Sequence, residues 1–134
     1  MKTEVLQLDT ADRRFVDITG HARKFCASAG GDGLLNVYLP HATAGVALME
    51  TGSGSEEDLA GVIATLLPRD DRWSHRHGSR GHGADHLLPA FIAPSLTIPV
   101  IDGAPALGTW QSIVVVDPNQ DNPRRNVRLT LLPG

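Results

Sequence analysis

The chain has 134 residues, of which 41% are hydrophobic and 20% are charged. It is long enough for one domain with a hydrophobic core and too short for two ordinary domains. Its net charge of -3 excludes a general electrostatic attraction to nucleic acid or to anionic membranes. Aromatic residues make up only 4%, which argues against a stacking platform for single-stranded nucleic acid. We therefore expect a single domain, residues 1–134, whose partners are small molecules.

The N-terminal residues lack the apolar core of a signal peptide, and no apolar run approaches the roughly 20 residues of a membrane span. Cys26 is the only cysteine, which excludes a disulfide within the chain and suits a reducing cytosol. A small buried apolar residue is the favoured interpretation of Cys26, with a nucleophile as the alternative. The expected localisation is cytoplasmic.

Hydrophobic periodicity divides the chain into short strands and helices. The first two strands are predicted to form an N-terminal hairpin, because only a short polar segment separates them. Thr19 is a candidate N-cap for the first helix. In chain order the predicted elements are strands 5–8 and 15–18, helix 21–28, strands 34–39 and 45–50, helix 55–66, a short helix 86–92, strands 95–100 and 108–116, and a closing strand 126–132.

Residues 95–116 are predicted to form a hairpin at the centre of the sheet. Asp-Gly at 102–103 is a turn signal, within a loop that we expect to be longer than two residues. The second strand opens on Gly-Thr-Trp-Gln at 108–111, which is either a polar strand end with an interface tryptophan or part of a ligand site. With short connections favouring antiparallel pairing, the predicted class is α+β, with about seven strands and two or three helices.

Residues 69–85 interrupt this pattern with a polar segment rich in Gly, His and Arg. The segment is longer than a simple connecting loop in a compact domain, which indicates a functional role. Neutral imidazoles suit zinc and neighbouring transition metals. Solvated or hydrogen-bonding histidines are the alternative, since no tight metal signature such as His-Glu-x-x-His is present. The histidines within or directly after the segment are His75, His77, His82 and His86.

Arginines are also frequent in this segment and near the C-terminus. Guanidinium groups bind phosphate bidentately and could form a phosphate pocket. They could equally be solvated or paired with nearby aspartates. The arginines concerned are Arg69, Arg72, Arg76, Arg80, Arg124 and Arg125.

Seven short motifs follow one another along the chain: His41-Ala-Thr-Ala, Glu50, Trp73-Ser-His75, Ala84-Asp-His86, Ser95-Leu-Thr-Ile-Pro-Val, Leu107-Gly-Thr-Trp-Gln111 and Arg124-Arg125. In order and spacing they resemble the YjbQ family of small proteins, which carries the label secondary thiamine-phosphate synthase enzyme. The resemblance runs from about residue 5 to residue 132, and its Leu-Thr-Ile-Pro-Val to Gly-Thr-Trp-Gln block is highly specific.

The resemblance implies a YjbQ-like α+β fold with packed β-sheets that assembles as a homotrimer, with sites at or near the subunit boundaries. Three histidines at separate motif positions then fit a divalent metal site, with zinc as the candidate: His41, His75 and His86. Candidate catalytic residues are His41, Glu50, Thr109 and Gln111. Candidate substrate-binding residues are Gly108, Trp110, Arg124 and Arg125.

If the family label applies, the protein is a transferase that joins an aminopyrimidine methyl diphosphate to a thiazole phosphate and releases diphosphate. Cationic groups would stabilise the departing charge. Ala42, His82 and Met49-Glu50-Thr51 depart from the family pattern and could change ligand preference. The absence of a Gly-x-x-x-x-Gly-Lys phosphate loop speaks against a dedicated synthase.

Two other classes remain open. One is a metal-dependent hydrolase or lyase acting on a phosphorylated small molecule, with Glu50 as general base. The other is a non-catalytic trimer that binds a metabolite.

Overall fold

A computed structural model describes residues 1–134 as eight strands and four helices. The elements are β1 (Lys2–Asp9), β2 (Phe15–Asp17), α1 (Thr19–Ala29), β3 (Gly33–Tyr38), β4 (Gly45–Met49), α2 (Ser55–Leu66), α3 (His82–Asp85), α4 (Leu88–Phe91), β5 (Ser95–Ile101), β6 (Ala104–Pro105), β7 (Ser112–Val116) and β8 (Arg124–Pro133).

The strands form two antiparallel sheets. The larger sheet has the order β1-β8-β3-β5-β6, and the smaller has the order β2-β7-β4. The last strand, β8, lies inside the larger sheet, where it pairs with β1 on one side and with β3 on the other. The predicted α+β class with mostly antiparallel strands is therefore confirmed.

Strand β7 is buried on both faces. Its residues Ile113, Val114, Val115 and Val116 are each at most 1% exposed. Successive side chains of a strand point to opposite faces, so this run requires apolar cover on both sides. Ile113 and Val115 join the main core between the two sheets and α1, while Val114 and Val116 join a second cluster with the helical side of the fold.

The second apolar cluster positions the helices that follow the small sheet. It combines Val114 and Val116 with Leu67, which ends α2, and with Ala84 and Leu88 of α3 and α4. The layers are thus the large sheet, the main core, the small sheet, and finally α2 to α4. The polar segment before α3 is held on this outer layer.

A buried ion pair joins the two sheets. Asp117 directly follows β7, and its carboxylate accepts hydrogen bonds from Nε (2.7 Å) and Nη2 (3.0 Å) of Arg125 in β8. Thr10 donates to the same carboxylate at 2.6 Å, and Arg125 also donates to Thr43 Oγ1 at 2.7 Å. Removing one partner of such a pair leaves a buried charge uncompensated, which costs roughly 3–5 kcal/mol.

Both predicted hairpins are wrong in their pairing. β1 pairs with β8 and β2 pairs with β7, because the polar segment between β1 and β2 carries the chain from one sheet to the other. The segment 95–116 likewise divides between sheets: β5 pairs with β3 and β6, whereas β7 lies in the small sheet. The turn at 102–103 has two residues, with φ of 50° and 77°, and joins β5 directly to β6.

Two local predictions also need correction. Thr19 is the first residue of α1 and not its N-cap, and its hydroxyl accepts a hydrogen bond from the backbone N–H of Ile113 at 2.8 Å. Residues 108–111 form an exposed turn before β7 instead of the start of a strand. That turn is closed by two hydrogen bonds between Gly108 and Gln111, one of them to the Gln111 side chain.

None of the four helices has the length and apolar character required to cross a bilayer.

Substitution of Gly45 tests the packing between β4 and the segment after α4, and substitution of Gly61 in α2 serves as a control. A Cβ at Gly45 would lie 2.1 Å from the carbonyl oxygen of Ile92, whereas a Cβ at Gly61 in α2 would meet open space. We expect Gly45→Ala to lower the free energy of unfolding by about 1–3 kcal/mol, as overpacking does. Gly61→Ala should raise it by about 0.5–1 kcal/mol, because alanine favours the helix. Urea unfolding measures both, and an unchanged midpoint for Gly45→Ala would contradict this packing.

Candidate metal centre

Four histidines converge on the outer layer of the fold. His75 and His77 lie on the exposed segment after α2, His82 opens α3, and His86 follows it directly. One ring nitrogen from each lies within 4.8 Å of the others. His82 is buried at 8% exposure, whereas His75 and His77 face solvent. The cluster therefore has a fixed inner side and an open outer side.

The local chain geometry explains why these rings meet. His82 and His86 are four residues apart on a helical turn, the spacing that places side chains on one face, and their Nε2 atoms lie 2.8 Å apart. Gly83 allows the His75 segment to approach α3, because a Cβ at this position would lie 2.4 Å from the carbonyl oxygen of His75. Glycine is thus required at the contact between the helix and the loop.

A carboxylate orients the buried histidine. Asp121 Oδ2 lies 2.7 Å from Nδ1 of His82, and the backbone N–H of Ser79 donates to the same oxygen. Hydrogen bonds from Ser79 lower the pKa of Asp121, so the carboxylate is ionised and accepts the proton of His82 Nδ1. The lone pair of His82 Nε2 then points into the cluster, as in carboxylate–histidine–metal arrangements.

A second set of contacts lies behind His82. The Asn119 side-chain amide donates to Asp85 Oδ2 at 3.1 Å and lies equally close to His82 Nδ1. Asp85 is 2% exposed and forms an ion pair with Arg69. The backbone N–H of Asn119 is held by Asp117 at 3.1 Å. The inner side of the cluster is therefore connected to the buried ion pair between the sheets.

The cluster favours neutral imidazoles. Burial, followed by the positive charge that His77 and His82 would carry, lowers the pKa of His75. Burial and the neighbouring histidines likewise lower the pKa of His86, and Asp85 only partly opposes this. Neutral imidazole is the form that ligates a metal.

These donors fit a divalent transition metal. Zinc binds histidine nitrogens at about 2.0–2.1 Å in tetrahedral geometry, so two ligands of one ion stand about 3.4 Å apart. The ring nitrogens, which lie within 4.8 Å of one another, must therefore move closer together, and the exposed His75 and His77 can supply this movement. An all-nitrogen donor set excludes Mg²⁺ and Ca²⁺ as preferred ions, since both require oxygen ligands.

A polar cavity of about 120 Å³ lies beside the cluster, lined by residues 70–71 and 75–83 without any hydrophobic side chain. Arg76 and Arg80 contribute its positive charge. Asp70 is engaged by Arg72 at 2.8 Å, and Asp71 lies 3.9 Å from Arg80. The cavity therefore combines imidazoles, guanidinium groups and the backbone of Gly78 and Ser79, a set suited to a small anion.

The structure brings together only part of the residue set expected from sequence. His75 and His86 meet in the cluster, whereas His41 lies elsewhere in the chain, with its Nε2 accepting a hydrogen bond from the backbone N–H of Asn126 at 2.9 Å. Burial and the charge of Arg125 lower the pKa of His41. His41 and Arg125 thus belong to the network of the buried ion pair, and Arg124 is exposed at the start of β8.

The other candidate residues do not contact the cluster within one chain. Glu50 is exposed directly after β4. Residues 108–111 form the separate turn described above, where Gly108 and Thr109 are exposed and Gln111 closes the turn through its side chain. Trp110 projects into solvent with 73% exposure.

The sequence indicated a segment dense in histidines, but His77 and His82 were not among the predicted metal ligands. It also missed Asn119 and Asp121, the residues that hold His82. The i, i+4 spacing of His82 and His86 was a usable signal for the first omission. No sequence feature distinguished residues 117–125, because a polar turn with two prolines is typical of any surface connection.

Comparisons with known proteins agree with this architecture. The family model described as UPF0047 protein YjbQ-like matches residues 4–134. The UPF0047 protein Rv2556c of Mycobacterium tuberculosis is 66% identical over 134 residues, covering both chains completely. A hypothetical protein, APE1520 from Aeropyrum pernix K1, superposes with a TM-score of 0.88 at 34% identity and full coverage of both chains. A YbjQ-like protein of unknown function from Sulfolobus solfataricus P2 has a TM-score of 0.91 at 23% identity, covering 99% of this chain and 97% of that one.

Histidine substitutions test which side chains hold a metal. We expect tag-free protein loaded with zinc and then desalted to retain about one ion per chain. Retention should fall at least tenfold in His82→Ala and His86→Ala, since second-shell changes alone cost about 10–100-fold. His21→Ala, on the exposed face of α1, is the matched control, and His41→Ala should also keep its metal. Elemental analysis measures the zinc content of each variant. Loss of metal in His41→Ala alone would contradict the four-histidine assignment.

The lowered pKa values of His75 and His86 predict how zinc affinity and protein stability depend on pH. Zinc affinity should hold from pH 8 to about 6.5 and then fall as protons compete, by roughly tenfold per pH unit for each displaced proton. The metal-free protein should also lose stability between pH 6.5 and the lowered pKa values, because the unfolded chain binds more protons there. Zinc titrations and thermal unfolding from pH 5 to 8 measure both effects. Affinity that rises on acidification would contradict the assignment.

Proposed function

This chain belongs to the YjbQ-like UPF0047 family, and we propose that it is a metal-dependent enzyme acting on a small phosphorylated molecule at the four-histidine cluster. The observation that carries the proposal is the convergence of four ring nitrogens within 4.8 Å of one another. A zinc ion with three histidine ligands keeps a position open for water or substrate. With four imidazoles present, one of the exposed histidines is free to bind substrate or to move a proton.

The charge around the cluster supports a phosphate-bearing substrate. Arg76 and Arg80 line the polar cavity next to His75 and His77. The Nε of Arg76 donates to the carbonyl oxygen of Trp73 at 2.9 Å, which fixes the base of its guanidinium group. Such groups bind phosphate oxygens in two parallel hydrogen bonds. The net charge of the protein is negative, so the attraction for an anion is local.

The residues divide the chemical tasks between them. A bound divalent metal would lower the pKa of a water ligand and polarise a phosphoryl oxygen. Asp121 holds His82 in the tautomer that offers Nε2, while Asn119, whose amide is held by Asp85, lies beside the ring. His75, whose lowered pKa favours the neutral imidazole, accepts a proton from the attacking group. Arg76 and Arg80 stabilise the charge that develops on the phosphoryl oxygens as water attacks phosphorus and the alcohol leaves.

Formation of thiamine phosphate is the second candidate reaction, favoured by the resemblance of Leu107-Gly-Thr-Trp-Gln111 and by one structural observation. Trp110 is 73% exposed and offers an indole face on which an aminopyrimidine or thiazole ring can stack. In this reaction Thr109 and Gln111 would orient the substrate and Arg124 would bind phosphate. Because these residues do not contact the histidine cluster within one chain, this reaction requires a site shared between subunits.

A homotrimer would supply such a shared site. Apolar side chains on the exposed surface provide material for an interface, among them Val62 of α2 at 59%, Phe91 at 60% and Leu132 at 54% exposure. The assembly is proposed to work in the cytoplasm, where the single free Cys26 remains reduced.

Arginine substitutions test the proposed reaction. For zinc-loaded protein acting on a small phosphate monoester, we expect the double variant Arg76→Ala, Arg80→Ala to raise KM at least tenfold, because each charge-assisted hydrogen bond is worth about 1.5–3 kcal/mol. Metal content should not change. Arg23→Ala is the matched control, since Arg23 is exposed on α1 and does not line the cavity.

Product analysis separates the candidate functions. Release of inorganic phosphate that depends on His86 supports the hydrolytic reaction. Formation of thiamine phosphate from the two heterocyclic substrates, with loss on Trp110→Ala, supports the synthase. Phosphate binding without any turnover by the zinc-loaded protein would contradict both and indicate a metabolite-binding trimer.

A further inference from the structure

The second apolar cluster is incompletely filled. A cavity of about 180 Å³ lies between α2, the small sheet and the turn of α3 and α4, lined mainly by apolar side chains that include Phe15, Ile63, Leu67 and Leu88. Well-packed interiors leave few voids larger than a water molecule. A dry cavity of about 150 Å³ is large enough to hold benzene, so this one can accept a small organic molecule.

Arg69, one of the residues that line the cavity, carries an unsatisfied hydrogen-bond donor. Arg69 lines the cavity, and its Nη1 donates to the Asp85 carboxylate. Its Nη2 is buried and has no hydrogen-bond partner, the one side-chain atom of the chain in that state. Buried polar groups without a partner are rare in native proteins and indicate an absent ligand or water.

The charged side chains that line the cavity favour an anion. Two guanidinium groups, those of Arg14 and Arg69, and one carboxylate, that of Asp85, line the cavity. Arg14 forms no ion pair, whereas Arg69 and Asp85 neutralise each other. One positive charge is therefore uncompensated, which a single negative charge on a ligand would balance.

We propose that this cavity binds a small monocarboxylate with an apolar body of about six carbon atoms. Its carboxylate accepts a hydrogen bond from Arg69 Nη2 and faces Arg14, and its apolar body fills the space between Ile63, Leu88 and Val116. Such a group satisfies the unpaired donor and the empty apolar volume at once. No residue of the histidine cluster lines this cavity, so the proposal does not depend on the metal centre.

Asp85 nevertheless connects the two sites. It accepts hydrogen bonds from Arg69 on the cavity side and from Asn119 on the cluster side, where Asn119 also contacts His82. A ligand that accepts a hydrogen bond from Arg69 changes the hydrogen bonding of Asp85. Because Asn119 contacts both Asp85 and His82, this change can be transmitted to His82. The carboxylate site is thus placed to influence the cluster.

Benzoate is a suitable probe, with benzyl alcohol as its neutral counterpart of the same ring size. Titration of metal-free protein, followed by amide chemical shifts and calorimetry, should give a dissociation constant of about 1 mM or below for benzoate, a value in keeping with the efficiency of small ligands. Benzyl alcohol should bind at least about tenfold more weakly, since it lacks the charge that pairs with a guanidinium.

Two variants and a control locate the binding. Ala64→Leu fills the cavity from α2, and it should weaken benzoate binding at least tenfold without loss of folding. Thr65→Leu, on the exposed side of the same helix, should bind like the wild type. Arg69→Lys keeps a positive charge next to Asp85 but removes the second donor, and it should also weaken binding about tenfold.

Three results would overturn the proposal. The first is the absence of benzoate binding at concentrations well above the expected dissociation constant. The second is equal affinity in Ala64→Leu and wild type, which would place the benzoate elsewhere. The third is a crystal structure in which a side chain of a second copy fills the cavity.

Discussion

The buried ion pair between Asp117 and Arg125 is the interaction on which the rest of the structure depends. It joins the end of β7 in the small sheet to the start of β8 in the large one, with both side chains at most 3% exposed. From this anchor the chain continues into residues 117–122, whose backbone is held by the side chains of Asp117, Asn119 and Asn122. The same turn delivers Asn119 and Asp121 to His82.

The fold thereby holds one side of the histidine cluster rigidly and leaves the other side exposed to solvent. His82 is fixed by its position in α3 and by Asp121, whereas His75 and His77 approach from an exposed segment. Metal sites require ligands held at defined positions by their surroundings. A fixed inner histidine with exposed partners meets this requirement and leaves access for a substrate. Arg76 and Arg80 lie on the same exposed segment, so in the proposed function one stretch of chain would bind the substrate charge and supply metal ligands.

The sequence was most informative where side-chain periodicity reports directly on burial. Hydrophobic periodicity placed α1, α2 and β8 correctly, and the density of histidines in residues 69–86 indicated a site. Pairing was predicted poorly, because short connections suggested hairpins where β1 and β2, and β5 and β7, belong to different sheets. The role of Asp121 could not be foreseen, since nothing local shows that a side chain 39 residues after His82 folds against it. His41 attracted attention through its motif, yet its contacts are with β8.

X-ray absorption spectroscopy at the zinc edge tests the central claim most directly. Zinc-loaded protein at pH 7.5 should show a first shell of three or four imidazole nitrogens at about 2.0–2.1 Å. In Asp121→Asn, which keeps every ligand but replaces the carboxylate behind His82, we expect the same shell with metal affinity lowered about 10–100-fold. A first shell made mainly of oxygen, or an unchanged spectrum in His82→Ala, would contradict the assignment of the cluster as a metal centre.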